Sequence, residues 1–422
     1  MKEIFLSQKQ EKERLLRGKY IDRQALKTTM KSMDNDLIKV IVGPRRAGKS
    51  VFAIQLLREK DFAYLNFDDE RFSDITNYDR IIKGLNEVYG STKYLLFDEI
   101  QNLKKWELFA NRLQRQGYIL LITGSNSQLL SKELATHLTG RYLPHNILPF
   151  SFSEFLHAKN VNMDIKLTIP ETEQGMILNL LNEFLNLGGY PEIVVKGIEP
   201  RDYLKFLFDS VILKDVVKRY NVRYTKSLYD LALFLVSNYA REYSFTKLKN
   251  LAAFKSVHTV QNYVRYLEEA YLFFSMKRFS YKPKEQFKAP LKIYAYDTGM
   301  VSALRLVLTP DYGRLMENVV AVELLRRGKG KEIYYYKDKN GAEVDFLVKE
   351  GLKVVELIQV CYALSDPGVK SRETKSLLKT ARYLSVDKLT VITWDHAEKI
   401  DVAGTVIECT PLWQWLLFSG LK

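Results

Sequence analysis

Two side chains with phosphate and metal chemistry, Lys49 and Ser50, stand together at the end of Gly43-Pro44-Arg45-Arg46-Ala47-Gly48-Lys49-Ser50. The pattern is GxxxxGK[ST], the form of a phosphate-binding loop. Gly43 and Gly48 allow a tight turn whose N–H groups point inward at a phosphate chain. Lys49 can reach the β- and γ-phosphates, and the Ser50 hydroxyl can ligate Mg²⁺. Such a loop needs a strand before it and a helix behind it. The apolar run Ile38–Val42 reads as that strand, and Val51-Phe52-Ala53-Ile54-Gln55-Leu56-Leu57 reads as that helix. The helix start adds partial positive charge to the cradle. Residues 43–51 are therefore the expected binding segment, with Val51 closing it.

A second pair of chemical residues ends another apolar run, Lys93-Tyr-Leu-Leu-Phe-Asp98-Glu99. It looks like a Walker B motif. Asp98 would hold Mg²⁺ together with Ser50, and Glu99 would polarise the attacking water. After a further strand, Tyr118–Thr123, come Gly124-Ser125-Asn126. Asn126 and Ser125 are candidates for sensing the γ-phosphate or orienting water; an ordinary helix-capping turn is the plainer alternative. Leu138-Thr139-Gly140-Arg141 ends a helical stretch, and Arg141 is a candidate arginine finger, in cis or toward a neighbouring subunit. Asp69-Glu70-Arg71 carries charge near these residues and is assigned no role.

The elements that must position these groups are strands at 38–42, 62–67, 94–97 and 118–123, separated by helical patterns. This alternation predicts an α/β parallel sheet with helices on both faces. Ligands in such sheets bind at the carboxyl ends of the strands, where all three motifs fall.

The whole chain has 422 residues, which suggests about three domains. Lys and Arg number 64 against 50 Asp and Glu, a net charge of +14. That excess favours an anionic partner such as nucleic acid. Two cysteines imply no disulfide framework. No apolar run approaches the roughly 18 residues of a membrane span. The highly charged first 23 residues do not resemble a signal peptide. A cytoplasmic location is the expectation.

Beyond the first 150 residues the pattern changes. Residues 151–222 read as helices interrupted at Gly188-Gly-Tyr-Pro191, and suggest a helical lid. Residues 223–282 suggest a winged helix, whose third helix, 256–267, would enter a major groove. Its candidate DNA contacts are Lys255, His258, Gln261, Asn262 and Arg265; a winged helix used only for protein packing is the alternative. Leu272–Arg278 and Lys292–Tyr296 would form the wing. Residues 283–422 return to α/β, with a helix opening at Glu317-Asn318 and strands at 332–336, 342–348, 354–360 and 389–393.

The phosphate loop, Phe97-Asp98-Glu99, Leu138-Thr-Gly-Arg141, Leu148-Pro-Phe-Ser-Phe-Ser-Glu-Phe155 and Gly188-Gly-Tyr-Pro191 together resemble the prokaryotic AAA+ ATPases with a C-terminal nuclease-like domain of unknown function. That family is related to the signal-transduction ATPases with numerous domains. The resemblance implies ATP as the nucleotide, a homo-oligomer, and a nucleotide contact from Pro191. Its C-terminal part is similar to the PD-(D/E)XK restriction-endonuclease-like fold, and implies metal ligands at Glu317, Asp345 and Gln359. The chain departs from the E-x-K pattern: Gln359-Val360-Cys361 offers a weak carbonyl ligand and no ammonium. Glu343 and Glu356 are possible substitutes. The expected domains are 1–150 ATPase core, 151–222 lid, 223–282 winged helix and 283–422 nuclease-like. An ATP-driven machine acting on DNA is the leading expectation. A nucleotide-controlled signalling or defence switch with a protein partner and an ATP-regulated nuclease are the alternatives.

Overall fold

Ile38–Val42 (β1) is apolar except for Lys39, and all five residues are buried. A strand buried on both faces belongs in a sheet covered on both sides. In the computed structural model, which describes all residues except 1, 73–74, 76, 128–139, 162–170, 252–253, 306–310, 329 and 419–422, β1 lies inside such a sheet. The chain divides into two compact units, Met1–Pro149 with Glu269–Tyr271, and Phe150–Glu268 with Leu272–Lys422.

In the first unit β1 is joined by Phe62–Asn66 (β2), Tyr94–Asp98 (β3), Ile119–Gly124 (β4) and Tyr142–Asn146 (β5). The order is β2-β3-β4-β1-β5, and every pairing is parallel. This is the parallel α/β sheet expected of a P-loop ATPase. Phe52, Ala53 and Leu56 of the helix Lys49–Leu56 pack with Ile41, Tyr64, Leu96 and Leu121. Phe97 stacks on Phe109 of the helix Trp106–Arg115, with ring centroids 5.8 Å apart.

Two features of this unit were not expected: a fifth strand, and the position at the sheet margin of the helix that residues 1–37 were expected to hold. The edge strand β5 reads Tyr-Leu-Pro-His-Asn, and its proline and polar residues hide the strand pattern. The basic segment before β1 holds the helix Lys2–Leu16, which closes the other margin of the sheet. Its Gln8 side chain donates to Asn66 O (3.0 Å) and accepts from Asn66 N–H (2.9 Å), and Lys12 donates to Phe62 O (2.8 Å). These bonds occupy backbone groups that edge strand β2 would otherwise leave unpaired. Phe5 is fully buried against Gly84, where an added Cβ would come within 2.3 Å of the ring.

The second unit begins with the helix Phe152–Ala158, capped reciprocally by Ser151 and Glu154. Glu171–Leu187, Pro191–Lys196 and Pro200–Ser210 follow, the last running on into a π-helical stretch, Val211–Lys218. Then come a helix Thr225–Ser237, strand Arg241–Tyr243 (β6), helices Phe245–Leu251 and Val257–Glu269, and strands Phe273–Lys277 (β7) and Leu291–Ala295 (β8). The three strands form an antiparallel sheet in the order β6-β8-β7. A boundary at 282/283 would separate β7 from its partner β8, because Phe273 pairs with Ala295 and Lys277 with Leu291.

The helix Tyr312–Arg327 starts earlier than expected, because Asp311 caps it. Glu317 is therefore inside the helix rather than at its opening. The six remaining strands are Lys331–Lys337 (β9), Glu343–Glu350 (β10), Lys353–Cys361 (β11), Leu389–Thr393 (β12), Glu398–Val402 (β13) and Thr405–Pro411 (β14). They form a mixed sheet, β13-β14-β12-β11-β10-β9. β11, β12 and β14 run parallel, and the margins are antiparallel. The helix Pro367–Leu384 buries Leu377 and Ala381 in this sheet's core. Among the described residues no helix is long and apolar enough to cross a membrane.

Candidate nucleotide site

The phosphate loop leaves β1 through a backbone that only glycine tolerates easily. Gly43 has φ +146°, and a Cβ there would come within 2.0 Å of Ile147 O. Gly48, at φ +91°, caps the helix Lys49–Leu56 in the left-handed region. Arg46 also has positive φ, at 66°. Pro44 and Ala47 close the loop with an N–H to carbonyl bond of 3.2 Å from Ala47 to Pro44. Lys49 is buried, and its Nζ donates to Pro44 O (2.9 Å). The lysine is thus folded over the loop that a phosphate chain would fill.

Arg23 supports this loop from below. Its guanidinium donates to Ala47 O (2.9 Å) and to Leu148 O, so it ties the loop to the segment after β5. Nothing in the spacing around Arg23 marks it; its role is visible only once the chain is folded.

The acidic pair meets the loop. Asp98 ends β3, buried, and its Oδ1 accepts from Ser50 Oγ (2.9 Å) and from Thr123 Oγ1. Tyr64 OH reaches its Oδ2 at 3.4 Å. Burial and the neighbouring Glu99 charge push the Asp98 carboxyl up to about 6, against the pull of Thr123, Ser50 and Lys49. Glu99 adopts a left-handed backbone (φ 49°). Its N–H donates to Thr123 Oγ1 (3.1 Å), and its Oε2 accepts from Ser125 Oγ (3.2 Å) and Gln101 Nε2. Burial alone would raise the Glu99 carboxyl, but Lys49, Gln101, Arg45 and Ser125 hold it below the usual range. The two acids are therefore set apart in basicity.

Thr123 is the residue that the motif reading passed over. It is fully buried and bridges both acids with one hydroxyl. Asn126 is buried two residues beyond β4, whose last residue, Gly124, is registered against Val42 at the start of the loop. The structure thus gathers residues 43–51, Asp98, Glu99, Ser125 and Asn126 at one end of the sheet.

Arg141 is at the other end. Its carbonyl accepts from Ile38 N–H (2.9 Å), and β5 starts beside Ile38, whereas the loop leaves from Val42. Four residues of strand separate the two ends, about 13 Å. Arg141 is exposed there and does not reach the site of its own chain, which corrects the expectation of a finger in cis. Leu138 and Thr139 of that motif lie outside the described residues.

The remaining candidates belong to the second unit. Pro191 is the first residue of its helix, behind a turn pinned on both sides. Gly189 N–H donates to Asp297 Oδ2 (2.7 Å), and Phe150 N–H donates to Gly189 O (2.7 Å). The helix Val257–Glu269 buries Val260, Tyr263, Val264 and Leu267. It presents His258, Gln261 and Arg265 to solvent, with Asn262 half-buried on the same side and Lys255 exposed just before it. Asn262 Nδ2 and His258 Nδ1 are 3.2 Å apart. The Arg265 guanidinium lies over the Tyr266 ring (5.4 Å), which stacks on Tyr220 (3.8 Å).

Glu317 and Asp345 are also brought together, with an unexpected neighbour. Lys292 Nζ, from β8, stands 3.1 Å from Glu317 Oε1, 3.4 Å from Asp345 Oδ1 and 2.7 Å from Glu343 Oε1. Asp345 is pushed up to about 8 by burial and by Glu317, opposed by Lys292. Gln359 is buried beside this cluster, and its Oε1 accepts from Asp345 N–H (3.3 Å). Cys361 is buried, and burial pushes its thiol up to about 11. Glu356 is engaged elsewhere, with Lys388 (3.1 Å) and Thr390 (3.0 Å).

The residues at the first site suit a magnesium nucleotide. A hydroxyl and a carboxylate converge at Ser50 and Asp98, the oxygen donors that Mg²⁺ prefers, beside a glycine cradle and an ammonium.

A family model described as an AAA domain matches residues 35–156. Two more, described as domains of unknown function (DUF8612 and DUF4143), match residues 178–311 and 312–415. The uncharacterized protein MJ1544 of Methanocaldococcus jannaschii is 40% identical over 405 residues, covering 90% of this chain and 88% of its own. An uncharacterized protein of Haemophilus influenzae is 31% identical over 402 residues, covering 91% and 95%. The solved Walker-type ATPase PABY2304 of Pyrococcus abyssi, 16% identical, aligns over 69% of this chain and 97% of that one with a TM-score of 0.45.

Proposed function

This chain belongs to the same family as MJ1544 of Methanocaldococcus jannaschii, with a P-loop ATPase domain of the AAA type, and from that premise we propose that it hydrolyses ATP with Mg²⁺ to act on DNA. The observation that carries the ATPase reading is the hydrogen bond of Ser50 to Asp98, which unites the two motifs across 48 residues of sequence.

Bound Mg·ATP would supply an electrophilic γ-phosphorus and a metal to neutralise charge on the phosphate oxygens. Ser50 and Asp98 would hold the metal, and the N–H groups of residues 43–48 would face the phosphates. Lys49 would move from Pro44 O to the phosphate chain. Glu99 accepts the proton of the attacking water. Among the described residues, Gln101 and Ser125 both donate to its Oε2, and Oε1 is the atom assigned to the water's proton. The nearby positive charges of Lys49 and Arg45 keep it ionised for that task. Asn126 orients the water or the γ-phosphate. Arg141, remote from its own site, serves the site of a neighbouring copy in a homo-oligomer.

For DNA, the order helix–strand–helix–helix–strand–helix–strand over 225–295, with the short helix Pro283–Lys288 between the last two strands, supports a winged-helix reading, with residues 258–265 of the third helix toward the major groove. The mixed sheet, with Glu317 and Asp345 adjacent, supports a nuclease-like domain that has lost its E-x-K lysine. The +14 charge favours a polyanion.

The test is turnover and binding measured together. Lys49→Ala should weaken ATP binding by calorimetry, and Glu99→Gln should bind ATP yet stall hydrolysis. Duplex or branched DNA should bind in a salt-dependent way and change the ATPase rate. Absence of binding even at low salt would remove DNA from this account; absence of heat with ATP in magnesium buffer would remove the ATPase.

A further inference from the structure

Three acidic side chains from two elements converge on one point of the second unit. Glu317 comes from the helix Tyr312–Arg327, and Glu343 and Asp345 come from β10. Carboxylates gathered this closely repel one another, and a cation between them or a proton on one of them relieves the repulsion. The point between them is filled by the ammonium of Lys292, which β8 delivers from the three-stranded sheet. Its contacts, 2.7–3.4 Å, have hydrogen-bond lengths.

The valence fits. An ammonium carries three N–H donors and no acceptor, and three carboxylate oxygens surround it. The second oxygen of Glu343 turns to Lys337 (3.1 Å), which also meets Glu242 of β6 (3.2 Å). The second oxygen of Asp345 accepts from Val360 N–H (2.9 Å), and Tyr294 OH donates to Glu317 Oε1 (2.8 Å). Five of the six carboxylate oxygens therefore meet protein donors. A divalent cation could enter only by displacing a buried positive charge.

We propose that Lys292 is a built-in cation occupying the place of a divalent metal among Glu317, Glu343 and Asp345, so that this centre joins the two sheets of the unit and binds no metal for phosphodiester cleavage. The inference deepens the nuclease-like reading and rests on it only for the kind of metal considered. It makes the lysine a substitute for metal chemistry rather than a participant in it.

The experiment is a Mn²⁺ titration followed by electron paramagnetic resonance, on the nucleotide-free full chain carrying Asp98→Asn to silence the ATP site. Adding Glu317→Gln should change nothing while Lys292 is present. Adding Lys292→Met, with folding checked by circular dichroism, should create a Mn²⁺ site that Glu317→Gln or Asp345→Asn removes again. Mn²⁺ bound by the Lys292 chain and lost on Glu317→Gln would overturn the proposal. A folded Lys292→Met chain that gains no Mn²⁺ would overturn it equally. If Lys292→Met does not fold, the first comparison decides alone. Failure of the nuclease-like reading would look different: the metal site would appear as expected, while mobility shifts showed no DNA bound by any variant.

Discussion

The Thr123 hydroxyl donates to Asp98 Oδ1, so the acid that ends β3 is fixed by a side chain one strand away. The same hydroxyl accepts the Glu99 N–H. Thr123→Val keeps the shape and removes both bonds. Leaving buried polar groups unpaired costs about 1–3 kcal/mol. The expected result is a lower melting temperature and a loss of ATP turnover of about tenfold or more, a barrier change of about 1.4 kcal/mol. Thr123→Ser should recover most of both, as read by calorimetry and steady-state ATPase assays.

Arg23 holds the loop at Ala47 and anchors it to Leu148. Arg23→Ala should weaken ATP binding by about tenfold through loss of pre-organisation, with little change in the pH profile of turnover. Arg23→Lys, which lacks the two-pronged guanidinium, should recover only part of it. Titration calorimetry separates these outcomes.

Asp297 caps the helix Thr298–Leu304 through Met300 N–H (3.1 Å) and also holds Gly189, and burial pushes its carboxyl up to about 6. The unfolded chain ionises this group near 4. Between these values the folded state binds more protons, so stability falls as pH rises. Relative to Asp297→Asn, which does not titrate, the native chain should lose about 2–3 kcal/mol of stability between pH 4 and 6.5. Paired denaturant melts across that window test the sign: a difference that stays flat, or grows with pH, contradicts it.

Gln8 satisfies both backbone groups of Asn66. Gln8→Ala should cost about 1–3 kcal/mol and loosen β2 before the rest of the sheet. Hydrogen exchange should show the amides of residues 62–66 losing protection first, with those of β1 unchanged.

The ATPase half of the molecule was legible because local chemistry and global fold agree there. Gly43, Gly48, Lys49 and Ser50 must be neighbours in sequence to wrap one phosphate chain, and Asp98 must end an apolar strand. Four of the five parallel strands, β1 to β4, betrayed themselves by continuous apolar runs. Long-range support was not legible. Arg23, Thr123, Asp297 and Lys292 each act on residues at least 24 positions away, and each looks like an ordinary polar residue in its own segment. Arg141 stayed open between cis and trans because its motif names a role without a place. Glu317 was assigned to a helix start because the capping Asp311 follows a stretch with no periodicity to align it. β5 stayed hidden because an edge strand with a proline need not alternate.

The margins of the parallel sheet have a consequence for how copies of the protein can meet. On one side, β2 is sheathed by a helix that plugs its amide and carbonyl groups. On the other, β5 includes Pro144, and His145 is engaged by Thr29 and Ser32. Neither border offers a clean template for strand exchange, so stripping residues 2–16 from the chain should convert a well-behaved particle into one that polymerises through its exposed rim.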